Sequence, residues 1–331
     1  MKKKRTLCFL WALLLLGFTV YASLDTFVIQ RAYVIQTTET DDPDIAAPLR
    51  SAFASTATPP PASQPQGRRF SPVPTSIAVS SPAPTDAPVS TENSYADENV
   101  SITIRTIRAY DSTVYVADVV LSDPEHLKTA LAKSAYGRNV KAKTSAIAKS
   151  ANAILAVNGD YYGARDSGYV IRNGVLYRSK AKRNGEDLVI YADGSFEIIR
   201  ESQISAQDLL AKGAWNVLSF GPGLVIDGKI TIGTEDKAGQ AKARNPRTAI
   251  GIVDRLHYLF VVSDGRTKRS EGLTLRELAM VLLELGCTTA YNLDGGGSST
   301  MVFQGRIVNK PTSNGKKITE RSVSDIVCIT Y

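Results

Sequence analysis

Four short polar clusters in this 331-residue chain carry side chains able to do chemistry. They are Asn158-Gly159-Asp160-Tyr161-Tyr162, Asn245-Pro246-Arg247-Thr248, Ser263-Asp264-Gly265-Arg266, and the run from Asn292 through Asp294-Gly295-Gly296-Gly297-Ser298 to Thr300. The last is the most unusual. Three successive glycines leave main-chain N–H groups unshielded, so they can nest an anion and let a ligand approach closely. Ser298 and Thr300 add hydroxyls, Asn292 adds an amide, and Asp294 sets a carboxylate directly before the nest. Arg247 and Arg266 supply guanidinium groups, whose geometry matches phosphate oxygens bidentately. Asp264 is a second carboxylate. Asn158 and Asp160 are suited to hold sugar hydroxyls or a metal, and Tyr161 and Tyr162 to stack on a sugar ring or to pack in the core. The blander reading makes the glycines a plain turn with Asp294 capping its own backbone, and the arginines surface ion pairs.

Several chemistries are disfavoured. With two histidines, a His-based zinc site or a Ser-His-Asp triad is unlikely on composition alone. Three cysteines cannot staple a disulfide-dense scaffold. Cys287 and Cys328 are expected to be buried thiols, with a disulfide open to them in an exported protein. The glycine run lacks the G-x-x-x-x-G-K-[ST] spacing of a phosphate loop, so nucleotide hydrolysis is not expected. Lys141, Lys143, Lys149, Lys180, Lys182 and Arg183 have no interleaved aromatics, which argues against nucleic acid. No organic cofactor is expected. Asp160, Asp264 and Asp294 offer oxygen ligands for a divalent cation, although no loop has calcium-binding spacing.

The elements that must position these clusters are mostly strands. Ile102, Ile104 and Ile107, then Val114, Val116 and Val119, alternate around a turn at 109–113. Turns at Asn173-Gly174, Asp193-Gly194 and Asp227-Gly228 mark hairpins. Arg247–Val253 and His257–Val262 read as paired strands, as do Met301–Phe303 and Arg306–Val308. Ala153–Val157, Thr288–Leu293 and Val323–Thr330 read as single strands. Helices are expected over Pro124–Ala135 and Thr144–Ala151. A third starts at Thr274, where Thr274 and Glu277 form a capping box, and ends at Gly286. Hairpins without a repeated βαβ unit make the fold class α+β, with largely antiparallel or mixed sheets and a few packed helices.

This single domain is expected over 99–331, behind a membrane anchor and a disordered linker. Lys2, Lys3, Lys4 and Arg5 precede an apolar run from Leu7 to Leu24, near the lower length limit for crossing a bilayer. Residues 1–35 therefore read as a signal anchor and stem, with cleavage of the segment as the alternative. Either way the carboxy-terminal domain lies outside the cytoplasm: at the cell membrane as a single-pass protein, or secreted. Residues 36–98 hold most of the prolines and read as an extended tether. Lys and Arg outnumber Asp and Glu by 31 to 23 after residue 98, whereas the counts before it are 8 and 9. The domain's positive surplus favours anionic partners. Oligomeric state is not legible.

At the four clusters the chain resembles the phosphodiester glycosidase family, whose best-known members are N-acetylglucosamine-1-phosphodiester α-N-acetylglucosaminidases. The matching stretches are Ala156–Tyr162, Asn245–Gly251, Val262–Arg266 and Tyr291–Met301, in family order. The chain departs from the common pattern at Asp160, where a second Gly is frequent, and at Asn245, where His is. The resemblance implies hydrolysis of a sugar-1-phosphodiester at its glycosidic C–O bond. It makes Asp294 the nucleophile or base and Asp264 the second carboxylate. It gives Arg247, Arg266 and the Gly295–Gly297 backbone the phosphate. Asn158, Asp160, Asn292, Ser298 and Thr300 complete the expected substrate site. The alternative is a non-catalytic module that binds an anionic envelope polymer such as a teichoic acid; a third reading is cleavage of P–O instead of C–O.

Overall fold

The alternation that begins at Val100 does what a half-buried strand should. In Val100–Ala109, Val100, Ile102 and Ile104 are buried, while Ser101, Thr103 and Arg105 face out. Its partner Ser112–Leu121 is buried on both faces. Tyr115, Ala117 and Val119 join one apolar cluster and Val114 and Val116 another. The computed structural model describes residues 2–27, 30–32, 88–233 and 242–331. The described residues belong to one unit; residues 33–87 lie outside them.

Three antiparallel sheets meet on one core. The largest has nine strands, with Gly223–Ile226, Thr289–Asn292, Arg247–Asp254, His257–Ser263 and Ser112–Leu121 adjacent in that order. A five-stranded sheet centres on Ala214–Leu218 beside Glu186–Tyr191. Another centres on Leu155–Asn158 beside Asp325–Ile329. Ile102, Phe260 and Tyr291 from the first, Leu188 and Leu218 from the second, and Leu155, Phe303 and Val327 from the third share the central cluster. Each sheet's other face is covered by one helix: Leu275–Glu284, Ala206–Ala211 and Thr144–Ser150 respectively. The expected fold class stands in its main terms, antiparallel sheets with a few helices. The Thr274/Glu277 capping box is present, with the Glu277 amide donating to Thr274 Oγ1 at 3.1 Å.

Two expectations need correction. No α-helix forms over Pro124–Ala135. A 3-10 turn at Pro124–His126 leads into a strand, Leu127–Leu131, and a second 3-10 turn. Leu127 and Thr129 alternate inward, and the segment pairs with Asp325–Ile329, so ladder pairing overrides local helix preference. The sheet also starts earlier than residue 99. Val89–Ser90 and Ser94–Ala96 extend the large sheet from within the expected tether. The rest of that tether, to residue 87, lies outside the described residues.

The amino-terminal run forms a helix, Lys2–Phe27, on which Trp11, Leu14, Leu15 and Phe18 are exposed. Among the described residues no helix is long and apolar enough to cross a membrane, so the fold does not establish the anchor expected over 7–24. Cys287 and Cys328 are both buried and free; burial pushes each thiol up to about 12.

Candidate functional site

A cavity of about 770 Å³ opens where the strands Arg247–Asp254 and Thr289–Asn292 end. Asn292, Asp294, Gly295, Gly296, Arg247 and Arg266 line it. The two strands pair directly, Ala249 opposite Asn292, so both clusters emerge at the same edge. Arg247, on the strand next to Ser263, brings the Ser263–Arg266 loop alongside.

Asp294 sits at the end of its strand, held by its amide on the Gly159 carbonyl at 3.1 Å. Burial raises its carboxyl above the usual carboxylate range. Ser298, the Arg321 guanidinium and the Gly295 main chain pull against that rise. Arg321 Nη2 lies 3.1 Å from Asp294 Oδ2, and Arg321 Nε donates to Ser298 Oγ at 2.9 Å. Arg247 is buried. Its Nε donates to the Leu273 carbonyl at 2.9 Å and its Nη2 to the Ala243 carbonyl at 2.8 Å. Burial and the neighbouring Arg266 pull its guanidinium down to about 10. Arg266 is exposed, braced by the Asn245 amide oxygen at 2.9 Å and the Ser313 carbonyl at 2.5 Å.

The glycine run is less open than its composition suggests. The Gly296 amide donates to the Pro246 carbonyl at 2.8 Å, and the Gly295 main chain serves Asp294. A nest of three amides aimed at one phosphate is therefore not what the loop forms. The glycines instead permit close approach. Gly296 has φ of +63°, and a Cβ there would meet Arg266 Nη2 at 3.0 Å. Gly297 passes against the Ser313 side chain.

Six expected site residues fall elsewhere. Asp264 faces a separate cavity, lined by Arg108, Lys268, Lys310 and others. Its carboxylate accepts from the Lys310 amide at 2.8 Å and the Tyr115 hydroxyl at 3.2 Å. It anchors a loop and does not stand beside Asp294 in the cavity. Asp160 is fully buried in an ion-pair network: Arg172 Nη2 lies 2.9 Å from Asp160 Oδ2 and 2.7 Å from Asp325 Oδ2. Burial alone would raise the Asp160 carboxyl, but Arg172, the Ser219 amide and Arg178 together outweigh it and the net direction is down. Asn158 is a brace. It donates to the Asp294 carbonyl at 2.6 Å and accepts from Thr248 Oγ1 at 2.8 Å and the Thr300 amide at 3.2 Å. Gly297, Ser298 and Thr300 likewise support the loop without lining the cavity. The three aspartates 160, 264 and 294 keep separate partners, so they do not gather around one cation. Tyr162 packs in the core, stacked on Tyr136 at 5.2 Å.

The cavity also contains residues that local sequence signals did not mark. Arg321, Glu186, Arg200 and Phe220 line it. Arg321 lies just before the short strand Ser322–Val323, and its immediate neighbours Glu320 and Ser322 carry no glycine or turn signature. Glu186 starts a hairpin strand, and its Oε2 accepts from the Gly223 amide at 2.8 Å. Four arginines face two carboxylates, a positive surplus suited to an anionic ligand. Asn292 Oδ1 is buried at the cavity wall without a hydrogen-bond partner.

The family model described as phosphodiester glycosidase matches residues 151–330, which include every residue lining the cavity. An uncharacterized SPbeta prophage-derived protein of Bacillus subtilis, YomE, is 31% identical over 205 residues, 60% of this chain and 31% of that protein. Human N-acetylglucosamine-1-phosphodiester alpha-N-acetylglucosaminidase is 36% identical over 86 residues, 25% of this chain and 16% of that enzyme. The matches thus span under a third of these relatives' own lengths. Among solved structures, the zebrafish N-acetylglucosamine-1-phosphodiester alpha-N-acetylglucosaminidase catalytic domain, auto-inhibited by its pro-peptide, has a TM-score of 0.57 at 22% identity, covering 70% of this chain and 83% of that one. A hypothetical protein from Synechocystis has a TM-score of 0.55 at 15% identity, covering 70% and 62%. Both likenesses concern the fold.

Proposed function

The chain belongs to the phosphodiester glycosidase family, and on that premise we propose that it hydrolyses the glycosidic C–O bond of a sugar-1-phosphodiester, such as an N-acetylglucosamine-1-phosphodiester or a related envelope glycan. The observation that supports this most is the convergence of Asp294 with Arg247, Arg266 and Arg321 in one cavity.

The chemistry follows from the groups. Breaking the C–O bond builds positive charge on the sugar ring and negative charge on the leaving phosphate. Arginines aimed at that phosphate stabilise the developing charge without reorganising. A phosphate monoester is a weak base, so its departure needs less proton donation than an alcohol would. Asp294 then serves as nucleophile or as base for water. Arg321 and Ser298 oppose the rise that burial imposes on its carboxyl. Glu186 takes the second-carboxylate role first assigned to Asp264. Phe220 offers an apolar face to the sugar ring, and Asn292 Oδ1 an acceptor for a hydroxyl.

The apolar run 7–24 after four basic residues supports a tether to the cytoplasmic membrane, with this domain outside. The test of activity is a substrate panel of aryl and natural glycosyl-1-phosphates with the full-length chain. Wild type releases free sugar, and Asp294→Asn loses about 10²–10⁴-fold in kcat. An Asp294→Asn protein that binds an anionic glycan and keeps its physiological effect identifies a binding module instead.

A further inference from the structure

Behind the cavity wall lies a second polar group that the proposed chemistry does not use. Asp187 follows Glu186 on the strand Glu186–Tyr191. It is fully buried, and both its carboxylate oxygens lack a hydrogen-bond partner. Glu201 Oε1 and Ser219 Oγ are also buried and unpartnered. The register puts all three on one face. Asp187 pairs with Ile199, two residues before Glu201, and Leu188 pairs with Leu218, which sets Asp187 across from Ser219. The two glycines beside them leave room. A Cβ at Gly168 would strike Ser219 Oγ and come within 3.7 Å of Glu201 Oε1; one at Gly185 would strike Glu201 Oε1.

Four oxygens thus converge in a buried site whose one donor is the Ser219 hydroxyl. A buried unpaired carboxylate costs several kcal/mol unless it is neutralised. Arginine does this for Asp160 and Asp325 next door; among the described residues no ion pair is formed by Asp187, and the pull of Lys182 is outweighed by burial and by the Glu201 carboxyl that meets it. Two agents remain, a proton shared by the two carboxyls or a cation. Two carboxylates match a divalent charge, and the hydroxyl of Ser219 supplies a neutral third ligand. We propose that Asp187, Glu201 and Ser219 hold a hard divalent cation, calcium by its preference for several oxygen ligands and a flexible shell. The site joins three consecutive parts of the cavity wall. Glu186 precedes Asp187, Arg200 precedes Glu201, and Phe220 follows Ser219; all three line the cavity. The cation is a structural brace that sets the wall and touches no substrate.

The experiment uses the full-length chain in mild detergent, stripped with a chelator and desalted. Calcium binding is measured by calorimetry, and melting is followed with calcium, magnesium or neither. The expected result is one calcium bound per chain, a rise in Tm with calcium that exceeds the rise with magnesium, and loss of both binding and shift in Asp187→Asn and in Glu201→Gln. Wild type that binds no calcium and melts alike with and without chelator overturns the proposal, and so does a shift that survives both substitutions. A shared proton has its own signature: no response to calcium, and a Tm that falls as pH rises above the ordinary carboxylate range. If Asp187→Asn does not fold, Glu201→Gln and the wild-type binding isotherm still decide.

Discussion

In the proposed chemistry Asp294 is the acting carboxylate, and Arg321 is one of the groups that tune it. Burial raises the Asp294 carboxyl, and Arg321 opposes the rise. Replacing Arg321 by Met removes that opposition, so the Asp294 pKa moves up. A base or nucleophile must be ionised, so the acidic limb of the kcat/KM profile is expected to shift to higher pH. A limb that stays where it was would separate Arg321 from the reaction. Asp264 gives the contrasting case. Its carboxylate is spent on the Lys310 amide and the Tyr115 hydroxyl. Asp264→Ala is expected to cost about 1–3 kcal/mol of stability through those orphaned donors, with kcat near wild type. Denaturant titration and steady-state kinetics check the two halves. Asp160→Asn disturbs the buried Arg172 network and is expected to destabilise by about 3–5 kcal/mol, read from the shift in urea midpoint.

Elements were legible where a local rule decides them. The capping box at Thr274 predicts its helix because it satisfies the first amides there. Thr274→Ala should cost about 1 kcal/mol. Hairpins at Asn173-Gly174 and Asp227-Gly228 follow from turn residues that accept positive φ. Pro124–Ala135 reads as a helix because its length suits one, and only the distant strand Asp325–Ile329 makes Leu127–Leu131 a ladder. The site divides in the same way. Arg266 and Asp294 announce themselves by sitting beside glycines at strand ends, and Arg247 by following Asn245-Pro246 where a strand opens. Arg321 and Glu186 reach the cavity through long-range packing and carry no local mark. Asp160 and Asp264 look like site residues for the same local reasons, but each meets a partner far along the chain. Nothing near them in sequence reveals Arg172 or Lys310.

At the scale of the whole molecule, charge and edges matter. The positive surplus after residue 98 and the four cavity arginines point the same way. Affinity for an anionic substrate should therefore weaken with added salt, seen as a rising KM with little change in kcat. The large sheet continues past residue 99 to Val89. A chain beginning at Asn99 is expected to melt at a lower temperature than one beginning at Pro88, because it exposes the Val100–Ala109 edge. The central claim is that water replaces phosphate at the sugar carbon, with Asp294 driving the step. Turnover of a glycosyl-1-phosphodiester in ¹⁸O water tests it directly, with mass spectrometry of both products. The account predicts the heavy oxygen on the sugar and almost no product from Asp294→Asn; label in the phosphate, or undiminished turnover by that variant, would contradict it.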